Sequence, residues 1–148
     1  MDVAALVISI AAIFISIMVA FIQDEREHKL NRTNLEAIYF NEIYKEYLTK
    51  RLPNARKYIH IDPNGVLKDT DKIRDELNNI RQDSLYYLYN DEDFYNKLKL
   101  KSQSLEDYLI RSSVNPLLGE EQTEFYSKLQ NELKELYKTI NNKFLGIK

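Results

Sequence analysis

The densest set of chemistry-bearing side chains lies in residues 45–60, KEYLTKRLPNARKYIH. Lys45, Lys50, Arg51, Arg56 and Lys57 stand there against a single acid, Glu46, with Tyr47 and Tyr58 interleaved. Guanidinium and ammonium groups pair with phosphate oxygens, and aromatic faces stack on bases. These residues are therefore the expected contacts of a nucleotide or a single-stranded nucleic acid. The competing expectation is a solvated basic face, paired with acids of neighbouring helices or subunits.

Catalytic patterns are missing from the sequence. It has no Gly-rich phosphate loop, no G-x-S-x-G and no H-E-x-x-H. The absence of Cys removes thiolate nucleophiles and Cys-type zinc sites, and two His, His28 and His60, leave little for a metal. The acids Asp91, Asp93, Glu120 and Glu121 fall at predicted helix starts, where the helix dipole accounts for them. His28 reads as a solvated residue. No enzyme activity, metal or cofactor is expected. The net charge of -2 supplies no global basic field to recruit nucleic acid.

A second pattern is a polar stripe near the N-terminus. Asp2, Ser9, Ser16 and Gln23 recur every seven residues, and at 100° per residue Ala5, Ala12 and Ala20 share their arc. The opposite faces carry Val7, Ile10, Phe14, Ile17, Met18 and Phe21. Small residues let helix backbones approach, and Ser can hydrogen-bond across the contact. If several copies turn this stripe inward, it lines a pore, with a ring of Asp2 at one mouth favouring cations. A seven-residue repeat suits a left-handed supercoil that keeps one stripe inside. Three or fewer single spans leave little lumen, so a pore implies a homo-oligomer of four or more chains.

The stripe belongs to residues 3–22, VAALVISIAAIFISIMVAFI, which hold no charge. A helix of about 20 residues is roughly 30 Å long, the thickness of a bilayer's hydrocarbon core. A cleaved signal peptide would need a basic n-region, a shorter apolar run and a small-x-small cleavage site. The sequence supplies Met1-Asp2 before the run and Phe21-Ile22-Gln23 at its exit, so a retained single-pass anchor is expected. No Lys or Arg precedes the run, while Arg26, Lys29 and Arg32 follow it. The positive side stays cytoplasmic, which puts the N-terminus outside and the remainder inside. The lipid bilayer is thus the first expected partner. The expected organisation is residues 1–32 as transmembrane helix and juxtamembrane extension, and residues 33–148 as a cytoplasmic domain.

That domain reads as all-α, a bundle of about four helices with a small hairpin or ordered loop near 58–67. Thr33-Asn34-Leu35-Glu36 has a capping-box pattern that predicts a restart or bend. Leu35, Ile38, Tyr39, Phe40, Ile43, Tyr44, Tyr47 and Leu48 then follow at helical spacing. Pro53 predicts a break or a new first turn. Asp62-Pro63-Asn64-Gly65 is a turn signal between short apolar runs. Ile73, Leu77, Ile80, Leu85 and Leu88 predict one helix starting at 69–71, and Asn90 a cap for the next. Residues 116–119 predict a loop, and Gly146 the end of a last helix carrying Phe125, Leu129, Leu133, Leu136 and Ile140.

This layout resembles a loose group of short bacterial proteins. They combine an Ile-, Ser- and Ala-rich N-terminal span, a polar juxtamembrane stretch of the kind seen here in residues 24–36, DEREHKLNRTNLE, and a helical cytoplasmic domain. Some are similar to membrane effectors of anti-phage defence, including the effector subunit of Hailong-type systems. The resemblance implies a bacterial inner-membrane ion channel, controlled by a nucleotide or nucleic acid, that depolarises the host. It carries no residue motif that would assign functional positions. The alternative is a tethered helical scaffold that docks a cytoplasmic protein without conducting ions. A holin-like lysis protein ranks below both, because it would not need so large a bundle.

Overall fold

The computed structural model describes the backbone of residues 3–146, and side chains from residue 16 onward. Helix α1 (Val3–Tyr39) is followed by two π-helical segments, Phe40–Tyr44 and Tyr47–Arg51, and by α2 (Leu52–Tyr58). Strands β1 (His60–Ile61) and β2 (Leu67–Lys68) come next, then α3 (Asp71–Asp83), α4 (Leu85–Asn90), α5 (Glu92–Ser112) and α6 (Glu120–Leu145). The protein is mostly helical, as expected. It divides into two compact units, Met1–Ile38 and Tyr39–Lys148.

The first unit is helical throughout its described backbone. The predicted restart at Thr33 does not occur. The Thr33 hydroxyl instead donates to the Lys29 carbonyl at 2.9 Å, bonding back along its own helix, and Arg32 pairs with Glu36 at 3.3 Å. Leu35 and Ile38, expected on a core stripe, are exposed. Among the described residues no helix is long and apolar enough to cross a membrane. Residues 3–15 of the apolar run lie outside the residues whose side chains are described. The described remainder, 16–22, would span only about 10 Å at 1.5 Å per residue.

The second unit has one hydrophobic core. Tyr44, Tyr47, Leu52, Ile73, Leu77, Ile80, Leu98, Leu105, Leu109, Phe125, Leu129 and Leu136 are fully buried within it. The antiparallel pairing of α5 with α6 is set by the short connection through residues 113–119. The aromatic rings of Tyr44, Tyr87, Phe94 and Phe144 meet edge-on or tilted, with centroids 4.9–6.3 Å apart. Of the three near-adjacent tyrosines at 86–89, Tyr87 is buried and Tyr86 and Tyr89 are exposed.

Pro53 directly follows the second π-helical segment. Proline has no N–H to give. The Leu52 N–H bonds to the Tyr47 carbonyl, one residue further back than in an α-helix. In that wider register the Leu48 carbonyl faces Pro53 and needs another donor. The Tyr137 hydroxyl of α6 supplies it at 2.8 Å. Pro53 itself sits in the first turn of α2, where its missing donor is tolerated.

The single helix expected over Ile73 to Leu88 is two. Ser84 interrupts it, fully buried, and Leu85 is left 41% exposed. The cap of α5 is Asp91 and not Asn90. The Asp91 carboxylate accepts the Phe94 N–H at 3.1 Å, while Asn90 donates back to the Tyr86 carbonyl. The other Asp91 oxygen receives Lys143 of α6 at 2.7 Å. Gly146 ends α6 in the left-handed conformation, as predicted.

The hairpin is present, with His60 opposite Lys68 and Ile61 opposite Leu67. Asp62 organises its turn. The Asp62 side chain accepts the N–H groups of Asn64 and Val66, both at 2.9 Å, and its carbonyl accepts the Gly65 N–H. Gly65 has φ +81°, and its carbonyl accepts the Leu117 N–H at 2.8 Å, tying the hairpin to the loop before α6. A Cβ here would lie 2.7 Å from the Leu117 carbonyl oxygen. Gly65→Ala is therefore expected to destabilise this unit by roughly 1–3 kcal/mol, read by urea unfolding. An unchanged midpoint would show that the turn relaxes freely.

Candidate ligand site

The seven residues expected to contact a ligand all fall in the second unit, but the fold separates them into distinct roles. Lys45 and Lys50 are exposed on the π-helical stretch, and Arg56, Lys57 and Tyr58 are exposed on α2. Tyr47 is 1% exposed and is a core residue. The Tyr47 hydroxyl donates to Asp83 Oδ2 at 2.5 Å. Burial, and then the bond to Asp83, push its pKa far above the usual tyrosine value, so it stays a donor. Tyr47 thus offers no free stacking face.

Arg51 is a second correction. In the linear sequence it stands among uncompensated cations. In the fold, α3 brings two acids to it, with Arg51 Nη2 2.6 Å from Glu76 Oε2 and Nη1 3.9 Å from Asp83 Oδ2. The guanidinium also covers the Tyr47 ring at 4.0 Å from its centroid. Arg51 therefore ties α3 to the π-helical segment. Tyr58 is likewise committed, because the Lys72 ammonium lies 3.3 Å from its ring centroid.

Of the five basic residues, Lys45, Lys50, Arg56 and Lys57 remain exposed. Among the described residues, none of the four makes an ion pair or a side-chain hydrogen bond, and Arg56 alone of them borders a groove. Arg56 lines an open groove of about 470 Å³ between α2 and α6. Leu52, Pro53 and Leu133 form its apolar lining, and Lys134 and Tyr137 complete the α6 side. Lys134 was not legible as a site residue. It lies far along the chain from residues 45–60, in a helix where Lys and Glu alternate as on any solvated face.

Three stripe positions are described. Ser16, Ala20 and Gln23 are exposed on α1. Asp2, Ala5, Ser9 and Ala12 lie outside the residues whose side chains are described. No group of His, Asp or Glu side chains that could hold a metal ion occurs among the described residues. Comparison of the chain with family profiles, with curated proteins and with solved structures found no match.

Proposed function

We propose that this chain is an oligomeric, membrane-anchored effector that forms or gates an ion pore, with its helical bundle taking a nucleotide or nucleic-acid ligand. In this reading residues 3–22 span the bacterial inner membrane, N-terminus outside, with Ser9, Ser16 and their neighbouring Ala residues turned toward other copies. The resemblance to anti-phage effectors supplies the biological setting of the proposal.

One observation carries the membrane part. The uncharged run lies within a single helix, and its described large apolar side chains are all exposed in the isolated chain. Met18 is 63% and Phe21 72% exposed, with Ile17, Val19 and Ile22 each near half. Such a surface is costly in water and favourable against acyl chains or against other copies. Only a helix or a closed barrel satisfies its own backbone in lipid, and this run is helical.

Conductance of the purified protein in a planar bilayer tests the reading. The parent is expected to conduct, with current altered by added nucleotide, and to have a mass in native lipid of four or more chains. Replacing Ser9 and Ser16 together by Leu is expected to cut the current about tenfold or more at equal membrane content, because apolar constrictions dewet. Phe14→Leu is expected to be neutral, since it keeps an apolar surface toward lipid. Asp2→Asn is expected to keep the current and reduce cation preference, by removing the charge at the outer mouth. A monomer in every lipid, or a silent parent, would favour the tethered scaffold instead.

A further inference from the structure

Residues 45–60 suggest either a single nucleotide or a nucleic-acid strand, and the fold discriminates between them. A strand needs a basic track with successive exposed aromatic faces. Of the two aromatics in this segment, Tyr47 is buried and the Tyr58 face is covered by Lys72. Arg51 is neutralised by Glu76 and Asp83. The track is thus broken in the middle by the contacts that hold α3 in place. One concave place borders the segment, lined by Arg56 of α2, Lys134 of α6 and the apolar side chains of Leu52, Pro53 and Leu133.

We infer that the groove between α2 and α6 seats one nucleotide-sized organic phosphate, held by Arg56 and Lys134 at its anionic end and by Leu52, Pro53, Leu133 and Tyr137 along its ring. The inference rests on the ligand-controlled reading above and names the ligand's size and seat. Four features support it. The volume of about 470 Å³ falls within the range of small-molecule sites, roughly 300–1,000 Å³. Its lining is mainly apolar, with few polar groups, as such sites require. The two cations come from different elements and, among the described residues, have no acid of their own. An anion bridging them would therefore link α2 to α6. Tyr137 is held in place by its hydrogen bond to the Leu48 carbonyl, so one wall of the groove is fixed before any ligand arrives.

The placement also gives the ligand mechanical leverage. Leu48 belongs to the π-helical segment just before Pro53, and Pro53 lines the groove. A ligand there contacts the proline that follows the Tyr47–Arg51 segment and the tyrosine that donates to the Leu48 carbonyl within it. π-Helical turns recur at functional positions because their hydrogen-bond register is open to change.

The test uses the full chain in lipid nanodiscs and reads binding, not current. Adenosine monophosphate, adenosine, inorganic phosphate and a twelve-residue oligothymidylate are titrated by calorimetry. Adenosine monophosphate is expected to bind at least about tenfold more tightly than adenosine or phosphate alone, because ring and anion use different parts of the groove. Arg56→Gln combined with Lys134→Gln is expected to weaken it at least about tenfold, with circular dichroism unchanged, while Lys50→Gln has no effect. In the parent, photo-crosslinking with 8-azidoadenosine monophosphate is expected to label residues 52–56 and 130–137, a readout that needs no variant to fold. Labelling elsewhere, or no binding of the mononucleotide, overturns the inference. So does an oligothymidylate that binds more tightly and is weakened equally by Lys50→Gln, the behaviour of a strand on the outer basic face. A parent that binds in the groove and carries no current refutes the pore and leaves the groove standing. A parent that conducts without binding does the reverse.

Discussion

Tyr44→Ala is expected to cost the Tyr39–Lys148 unit roughly 3–5 kcal/mol, a large share of the roughly 5–15 kcal/mol that holds an ordinary domain folded. Tyr44 is fully buried, and its ring touches Tyr87, Phe94 and Phe144. Removing it leaves a cavity lined by three rings that cannot all move inward. It also breaks a buried polar chain. The Ser84 hydroxyl gives its single proton to the Ile80 carbonyl at 2.6 Å, so the 2.8 Å bond between Tyr44 and Ser84 has the tyrosine as donor. Tyr44→Phe keeps the packing and loses that bond alone, for about 1 kcal/mol. Chemical denaturation of the two variants separates packing from hydrogen bonding. Equal losses would show that the Ser84 bond, and not the aromatic cluster, dominates at this position.

The second large effect is expected at Arg51. Arg51→Glu places a third acid beside Glu76 and Asp83 and removes the cation from the Tyr47 ring. Arg51 is 31% exposed and Glu76 23%, so solvent screens part of the loss. The expected destabilisation is about 2–3 kcal/mol, below that of a fully buried pair. Arg56→Glu and Lys57→Glu lie on exposed α2 positions and are expected to stay within about 0.5 kcal/mol. Reversing all three together would confuse unfolding with loss of ligand, so the residues must be separated. If Arg51→Glu melts at the parent's temperature, the link from α3 to the π-helical segment carries no stability. Restoring the charge balance with Glu76→Lys in the Arg51→Glu background is expected to recover part of the loss. Failure to recover would assign the effect to the Tyr47 contact.

Where the sequence reading and the fold part company, the cause is local at Thr33 and long-range at Ser84 and Asp91. Thr33 to Glu36 has the composition of a cap, yet a capping box acts only where the chain leaves the helix. Here the Thr33 hydroxyl found an acceptor on the preceding turn. Ser84 interrupts an otherwise regular apolar period because Tyr44, forty residues earlier, needs its oxygen in the core. The cap of α5 shifts from Asn90 to Asp91, whose second carboxylate oxygen also meets Lys143 of α6. At Ser84 and Asp91 the deciding partner is distant in the chain, and at Thr33 it is one turn away.

The sequence by itself determined the helical class, the uncharged run at 3–22, the hairpin turn at 62–65, the loop at 116–119 and the stop at Gly146. These follow from short-range rules: apolar spacing, the missing N–H of proline, the free φ of glycine and the absence of charge over twenty residues. The tertiary structure alone decided which members of the basic segment are available to a ligand. Charge counted along the chain sees only neighbours in sequence, where Glu46 is the one opposing acid. Packing brought Glu76 and Asp83 to Arg51 and Lys72 to Tyr58, and placed Lys134 in the same groove as Arg56. Electrostatic pairing depends on distance through space, and that distance is fixed only when the helices dock.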